Sequence, residues 1–135
     1  IDHAQSTGSA VRGSHQSPPY TGCSDMILKS SNGGKSRDDL ISHMENGYIV
    51  HSVMGAHTAN PTSGDFSVTT STILKVVDGQ IIGPIKQAGL SGNIAKALAN
   101  DVILGDRPII QESYSTGGMH IPDVLVMDGF RINPA

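Results

Sequence analysis

The residues of this sequence best suited to hold a metal or carry a nucleophile are six histidines (His3, His15, His43, His51, His57, His120) and one cysteine, Cys23. A zinc-peptidase helix of the HExxH type places two imidazoles one turn apart, with a glutamate beside them to activate water. No histidine here begins that pattern, and His51 and His57 flank a strand end at a spacing that holds no metal by itself. Cys23 follows Gly22 in an irregular stretch with no local feature that would lower its pKa. A GxSxG nucleophile elbow is absent. The stretches "STGSAVRG" and "STGGMH" lack both the lysine and the strand–glycine–helix setting of a phosphate loop. No complete catalytic set is legible, so the chemistry to explain is hydrogen bonding.

That chemistry is concentrated in "GAHTANPTSGDFS", Gly55 to Ser67. Asn60, Thr62, Ser63 and Asp65 can each bond nearby backbone groups and fold the loop on itself. Pro61 stiffens it, Gly64 permits a positive φ beside Asp65, and Phe66 can anchor it to a core. Asp65 is the expected key acceptor. Two readings stand side by side at this point. The loop is a self-capped strand connection, or it is a wall of a substrate groove or a subunit contact, since functional residues concentrate on loops held by rigid scaffolds.

The elements that must position this loop are mostly strands. "YIVHSVM" precedes it and the β-branched run "FSVTTSTILKVV" follows it. Asp78-Gly79 then predicts a tight hairpin into "QIIGPI", and Asp128-Gly129 predicts a second one between "VLVM" and "FRIN". "DMILKS", "VILG" and "PIIQES" are shorter strand candidates. The best helix is "SRDDLISHMENG", with Ser36 as cap, Asp39 at capping-box spacing, and Leu40, Ile41 and Met44 as its apolar stripe. Gly47 is its expected left-handed stop. A second, shorter helix is "IAKALAND", capped by Ser91 or Asn93, with Ile94, Ala95 and Leu98 on one side. Residues 1–24 are expected to be extended or irregular. The pattern is α+β and strand-dominated, with mostly antiparallel sheets, β-hairpins and two short helices.

The 135 residues suffice for a single domain, 1–135, with a modest core. Hydrophobic content of 37% with 16 glycines favours strands and turns over a helical bundle. A formal net charge of -3 and no Lys/Arg cluster give no electrostatic case for nucleic acid or an anionic membrane. No apolar run approaches a membrane span. A lone free thiol fits a reducing, cytoplasmic setting, and an opening on Ile1 in a Gly/Ser/Pro-rich segment suggests a piece of a longer protein whose upstream half is absent.

Five stretches, in order, resemble the TldD/PmbA family of two-subunit metalloproteases, the PmbA type also being called TldE. They are "STGSAVRGSHQSPP" with Arg12, "DDLISHMENGYIVHSVMG", "NPTSGDFS", "DGQIIGPIKQAGLSGNI" with Gly92 and Asn93, and "PDVLVMDGFRI". They cover nearly the full chain, and the third matches the family signature N-x-x-[ST]-G-[DE]-[FY]-S. The resemblance implies the C-terminal domain of such a protein. The zinc-bearing TldD type carries HExxxH upstream and a cysteine near its C-terminus as a third ligand; the position similar to that cysteine is Thr116. A threonine hydroxyl does not replace a thiolate on zinc. The resemblance therefore implies the non-catalytic PmbA/TldE-type partner, with no catalytic or metal residue in this chain and zinc in the partner subunit. That partner is a TldD-like zinc subunit, or the chain forms a homodimer, and peptide is the substrate. Gly55, Asn60, Thr62, Ser63, Gly64, Asp65, Phe66 and Ser67 then build the groove or interface loop. Members once carried the label "modulator of DNA gyrase", which the acidic charge does not favour. Two alternatives stay open: a TldD-type zinc protease subunit with HExxxH upstream, and a stand-alone β-rich interaction module.

Overall fold

Runs of β-branched residues broken by glycine turns give mostly strands in the computed structural model, which describes residues 5–23, 25–111 and 118–134. The elements in chain order are β1 (Ala10–Val11), β2 (Tyr20–Thr21), β3 (Asp25–Ile27), α1 (Arg37–Met44), β4 (Gly47–Met54) and β5 (Asp65–Val77). There follow β6 (Gln80–Pro84), β7 (Ala88–Asn93), α2 (Ile94–Ala99), β8 (Val102–Leu104) and β9 (Ile109–Gln111). β10 (Gly118–Ile121), β11 (Val124–Val126) and β12 (Phe130–Pro134) complete the described elements. The class is α+β, strand-dominated and mostly antiparallel, as the sequence predicts; the exceptions are a parallel β3–β10 pair and a parallel bridge between Lys35 and Gly105.

The main sheet runs β12-β7-β5-β4, and β6 also pairs with β5. β5 pairs with β4 along one edge. Along its other edge it pairs first with β7, at Asp65–Thr69, and then with β6, at Leu74–Val77. Thr70 sits at this change of partner and is fully buried. Its hydroxyl donates to the Ala88 carbonyl at 3.1 Å and accepts from the Ala88 N–H at 2.9 Å, supplying by side chain the bonds a ladder would have made. Val68, Thr70, Ile73 and Val76 point into the core. Their spacing departs from strict alternation after Thr70, where Ser71 is left without a β4 partner between Thr70 and Thr72.

Local signals place both helices. The Ser36 hydroxyl accepts from the Asp39 N–H at 3.1 Å and donates to the Asp39 carboxylate at 2.6 Å, a variant of the capping box. Leu40 is buried, and Ile41 and Met44 are half-buried. The stop is Glu45, at φ 56°, and not Gly47, which begins β4. Turning Glu45 aims its carbonyl at the N–H of Gly79, 2.8 Å away, and ties the helix end to the β5–β6 turn. That turn is the Asp78-Gly79 hairpin the sequence predicts, with both residues at positive φ. In α2 the buried residue is Ala97, and Ile94, Ala95 and Leu98 are exposed, so the apolar side expected to face inward faces outward.

Two other points differ from what the sequence suggests. Asp128-Gly129 is not a hairpin: β11 pairs with β8 and β12 pairs with β7, so the turn carries the chain between two sheets. "AGLSGN", which the sequence offers as the source of a helix cap, is the central strand β7. Residues 5–23, expected to be extended or irregular, are so, with the two-residue strands β1 and β2 pairing antiparallel.

Candidate functional site

The loop before β5 closes on its first asparagine. Asn60 Oδ1 accepts from the N–H groups of Thr62 at 2.9 Å and Ser63 at 3.1 Å. Its backbone does the rest: Gly64 N–H donates to the Asn60 carbonyl, and Asn60 N–H donates to the Asp65 carbonyl, each at 2.9 Å. Gly64 takes φ 77°, the left-handed region its lack of Cβ allows. Ser63 Oγ accepts from Asp65 N–H at 3.2 Å. Upstream, Gly55 opens a single 3-10 turn, Ala56–Thr58, and its carbonyl accepts from both the N–H and the hydroxyl of Thr58.

The loop is then clasped from across the sheet. Asn93 Nδ2 donates to the Ser63 carbonyl at 2.8 Å and to Asp65 Oδ1 at 2.7 Å. Asn93 Oδ1 accepts from Lys96 N–H at 3.0 Å, so the same side chain caps α2. Ile94 N–H donates to the Gly64 carbonyl at 2.9 Å. Of the two caps the sequence allows, Ser91 and Asn93, the structure uses Asn93. Hydrogen bonding to Asn93, then to Ser63, with the Lys96 charge adding, holds the Asp65 carboxyl below its ordinary value of 3.8. A depressed pKa contributes stability above 3.8 that is lost as pH falls through the lower, folded value. An NMR titration of Asp65 is expected to show a midpoint below 3.8, and Asn93→Ala to move it back up; a midpoint at or above 3.8 in the unaltered chain contradicts the clasp.

Phe66 anchors the loop through an aromatic contact. In register, Gly92 of β7 lies between Phe66 of β5 and Phe130 of β12. Strands two apart are about 9.6 Å apart, too far for side chains to meet across an occupied middle position. With no side chain at Gly92, the two rings meet edge to face, centroids 5.1 Å apart and planes at 89°. Phe130 also lines a cavity of about 490 Å³ with Leu40, Tyr48, Val50, Leu90 and Ile132. Loop residues 55–67 are not among its lining.

The structure thus brings Asn60, Thr62, Ser63, Gly64, Asp65, Phe66, Gly92 and Asn93 together. Ser67 pairs with Ser91 further along the ladder. Gly55 lies at the loop's start, and Arg12 is exposed just after β1. Thr116 lies outside the described residues. The sequence reading missed Phe130 and Lys96, whose nearness depends on pairing between distant segments. The one signal for Phe130 was its place in the last motif.

Residues 2–133 match the family described as the PmbA/TldA metallopeptidase C-terminal domain. The chain belongs to that family. The uncharacterized protein MJ0231 of Methanocaldococcus jannaschii is 35% identical over 101 residues, which cover 75% of this chain and 22% of that protein. Two solved structures share this PmbA/TldA domain's fold. TldE from Thermococcus kodakarensis superposes with a TM-score of 0.72 at 22% identity, over 96% of this chain and 27% of that one. A Thermotoga maritima protein, TM0727, named as a candidate modulator of a DNA gyrase, gives 0.64 at 26% identity, over 82% and 23%. The chain therefore spans about a quarter of the length of the relatives it matches.

A metallopeptidase family raises the question of a metal. Among the described residues, no three of His, Cys, Asp and Glu converge as a ligand set. The Asp65 carboxylate is already bonded to an amide donor. The described donors do not fit a zinc ion. Among the described residues no helix is long and apolar enough to cross a membrane.

Proposed function

We propose that this chain is the C-terminal domain of a PmbA/TldE-type subunit, the non-catalytic partner in a two-subunit zinc metalloprotease that degrades or processes peptides in the cytoplasm. Its role is to form part of the dimer interface and one wall of the peptide groove, beside a TldD-like subunit that holds zinc or a second copy of itself. The observation that carries this reading is a threonine, Thr116, at the position similar to the zinc type's cysteine, in a sequence with no cysteine after Cys23. A thiolate binds zinc strongly and a threonine hydroxyl does not. The clasped loop supports the second part of the reading. A connection whose polar groups are satisfied internally can present a fixed surface at no cost in reordering.

The test is elemental analysis of the full-length parent protein, purified alone. The expected result is no zinc above background, with zinc recovered once an HExxxH-bearing subunit is bound. About one zinc per chain in the protein alone would mean that the parent has a complete ligand set and belongs to the catalytic type.

A further inference from the structure

The three-stranded sheet β3-β10-β9 shows apolar side chains on both faces. Ile27 and Ile110 pair with His120 and share one face. Met26 and Ile109, paired with Met119 and Ile121, share the other. These outer-strand residues are 61%, 68%, 44% and 53% exposed, in the order named. Antiparallel sheets can leave one face in water, but a sheet with a parallel pair and apolar residues on both sides has the pattern of one buried from both sides.

We infer that this sheet is incomplete, and that a part of the same polypeptide preceding Ile1 packs on both of its faces. The inference rests on the reading above that the chain is one domain of a longer subunit. A second copy fits the surface less well. An isologous contact uses one patch on each copy and so covers one face of the sheet, leaving the other in water. The relatives supply the length, since the matched region is 22% of MJ0231 and 23% of TM0727.

The test is peroxide oxidation of methionines in the full-length protein, compared native and denatured, because thioether oxidation follows exposure. Met26 reports on one face, and an Ile110→Met variant, a mild change at an exposed position, reports on the other. Both thioethers are expected to oxidise at least about tenfold more slowly in the native protein, at a rate that does not change on dilution. Native rates within about twofold of the denatured rates at either position overturn the inference, because a two-sided cover leaves neither exposed. Protection lost on dilution also overturns it, by showing that a second copy is the cover. The intact mass of the native polypeptide separates the two claims. A parent no longer than this chain removes the proposed function as well, whereas a longer parent with exposed methionines removes this inference alone.

Discussion

Gly92→Ala is expected to destabilise the domain by about 1–3 kcal/mol, the usual cost of forcing a methyl group into filled space. The added Cβ would meet the Gly129 carbonyl oxygen inside contact distance, with Phe130 Cδ1 at 2.7 Å and Phe130 Cα at 3.3 Å. Two of these three atoms are backbone, so no rotamer change relieves the contact. The residue must move within a ladder fixed on one side by β5 and on the other by β12. The same methyl group would intrude where the Phe66 and Phe130 rings meet. Urea unfolding checks this: the midpoint should fall with little change in slope. An unchanged midpoint would show that β12 does not pack on β7 as described.

The second large effect is expected at Thr70. Valine has nearly the same shape, so Thr70→Val removes the hydroxyl and little else. Both bonds to Ala88 are lost, and the Ala88 N–H and carbonyl are left in a site where Ala88 is only 2% exposed. Leaving buried polar groups without partners costs about 1–3 kcal/mol. Thr70→Ser keeps the hydroxyl and should retain most of the stability, apart from about 1 kcal/mol for the lost methyl group. If valine and serine lose equally, the hydroxyl bonds contribute nothing and packing alone holds the junction.

What was legible in the sequence was local. Ser36 caps α1 and Asp78-Gly79 turns a hairpin because each signal and its partner lie within a few residues. Asn60 to Gly64 folds on itself for the same reason. The misreadings are cases where pairing between distant segments decided. Asp128-Gly129 has the composition of a hairpin, but the strands after and before it have better partners in β7 and β8. "AGLSGN" lacks the β-branched residues that mark a strand, and its Gly92 must admit the Phe66 and Phe130 rings and the Gly129 carbonyl. The Asp65 carboxylate accepts from one described side chain, Asn93. Its donor, Asn93, lies 28 residues away and could be read from sequence only as a helix cap and a motif position.

The arrangement of β5 also sets an order of assembly. Its pairings with β4 and β6 lie within residues 47–84, so they close short loops, whose entropic cost is low. The β7 and β12 pairings come later in sequence, and β12 supplies Phe130, the ring against which Phe66 rests. During synthesis the β4–β5–β6 meander can therefore collapse while the last strand is still unmade. The clasped loop gets its bonds to Asn93 when β7 docks and its aromatic buttress only when β12 docks. The loop's own turn is thus local, whereas its attachment to the main sheet is completed only after β7 and β12 have docked.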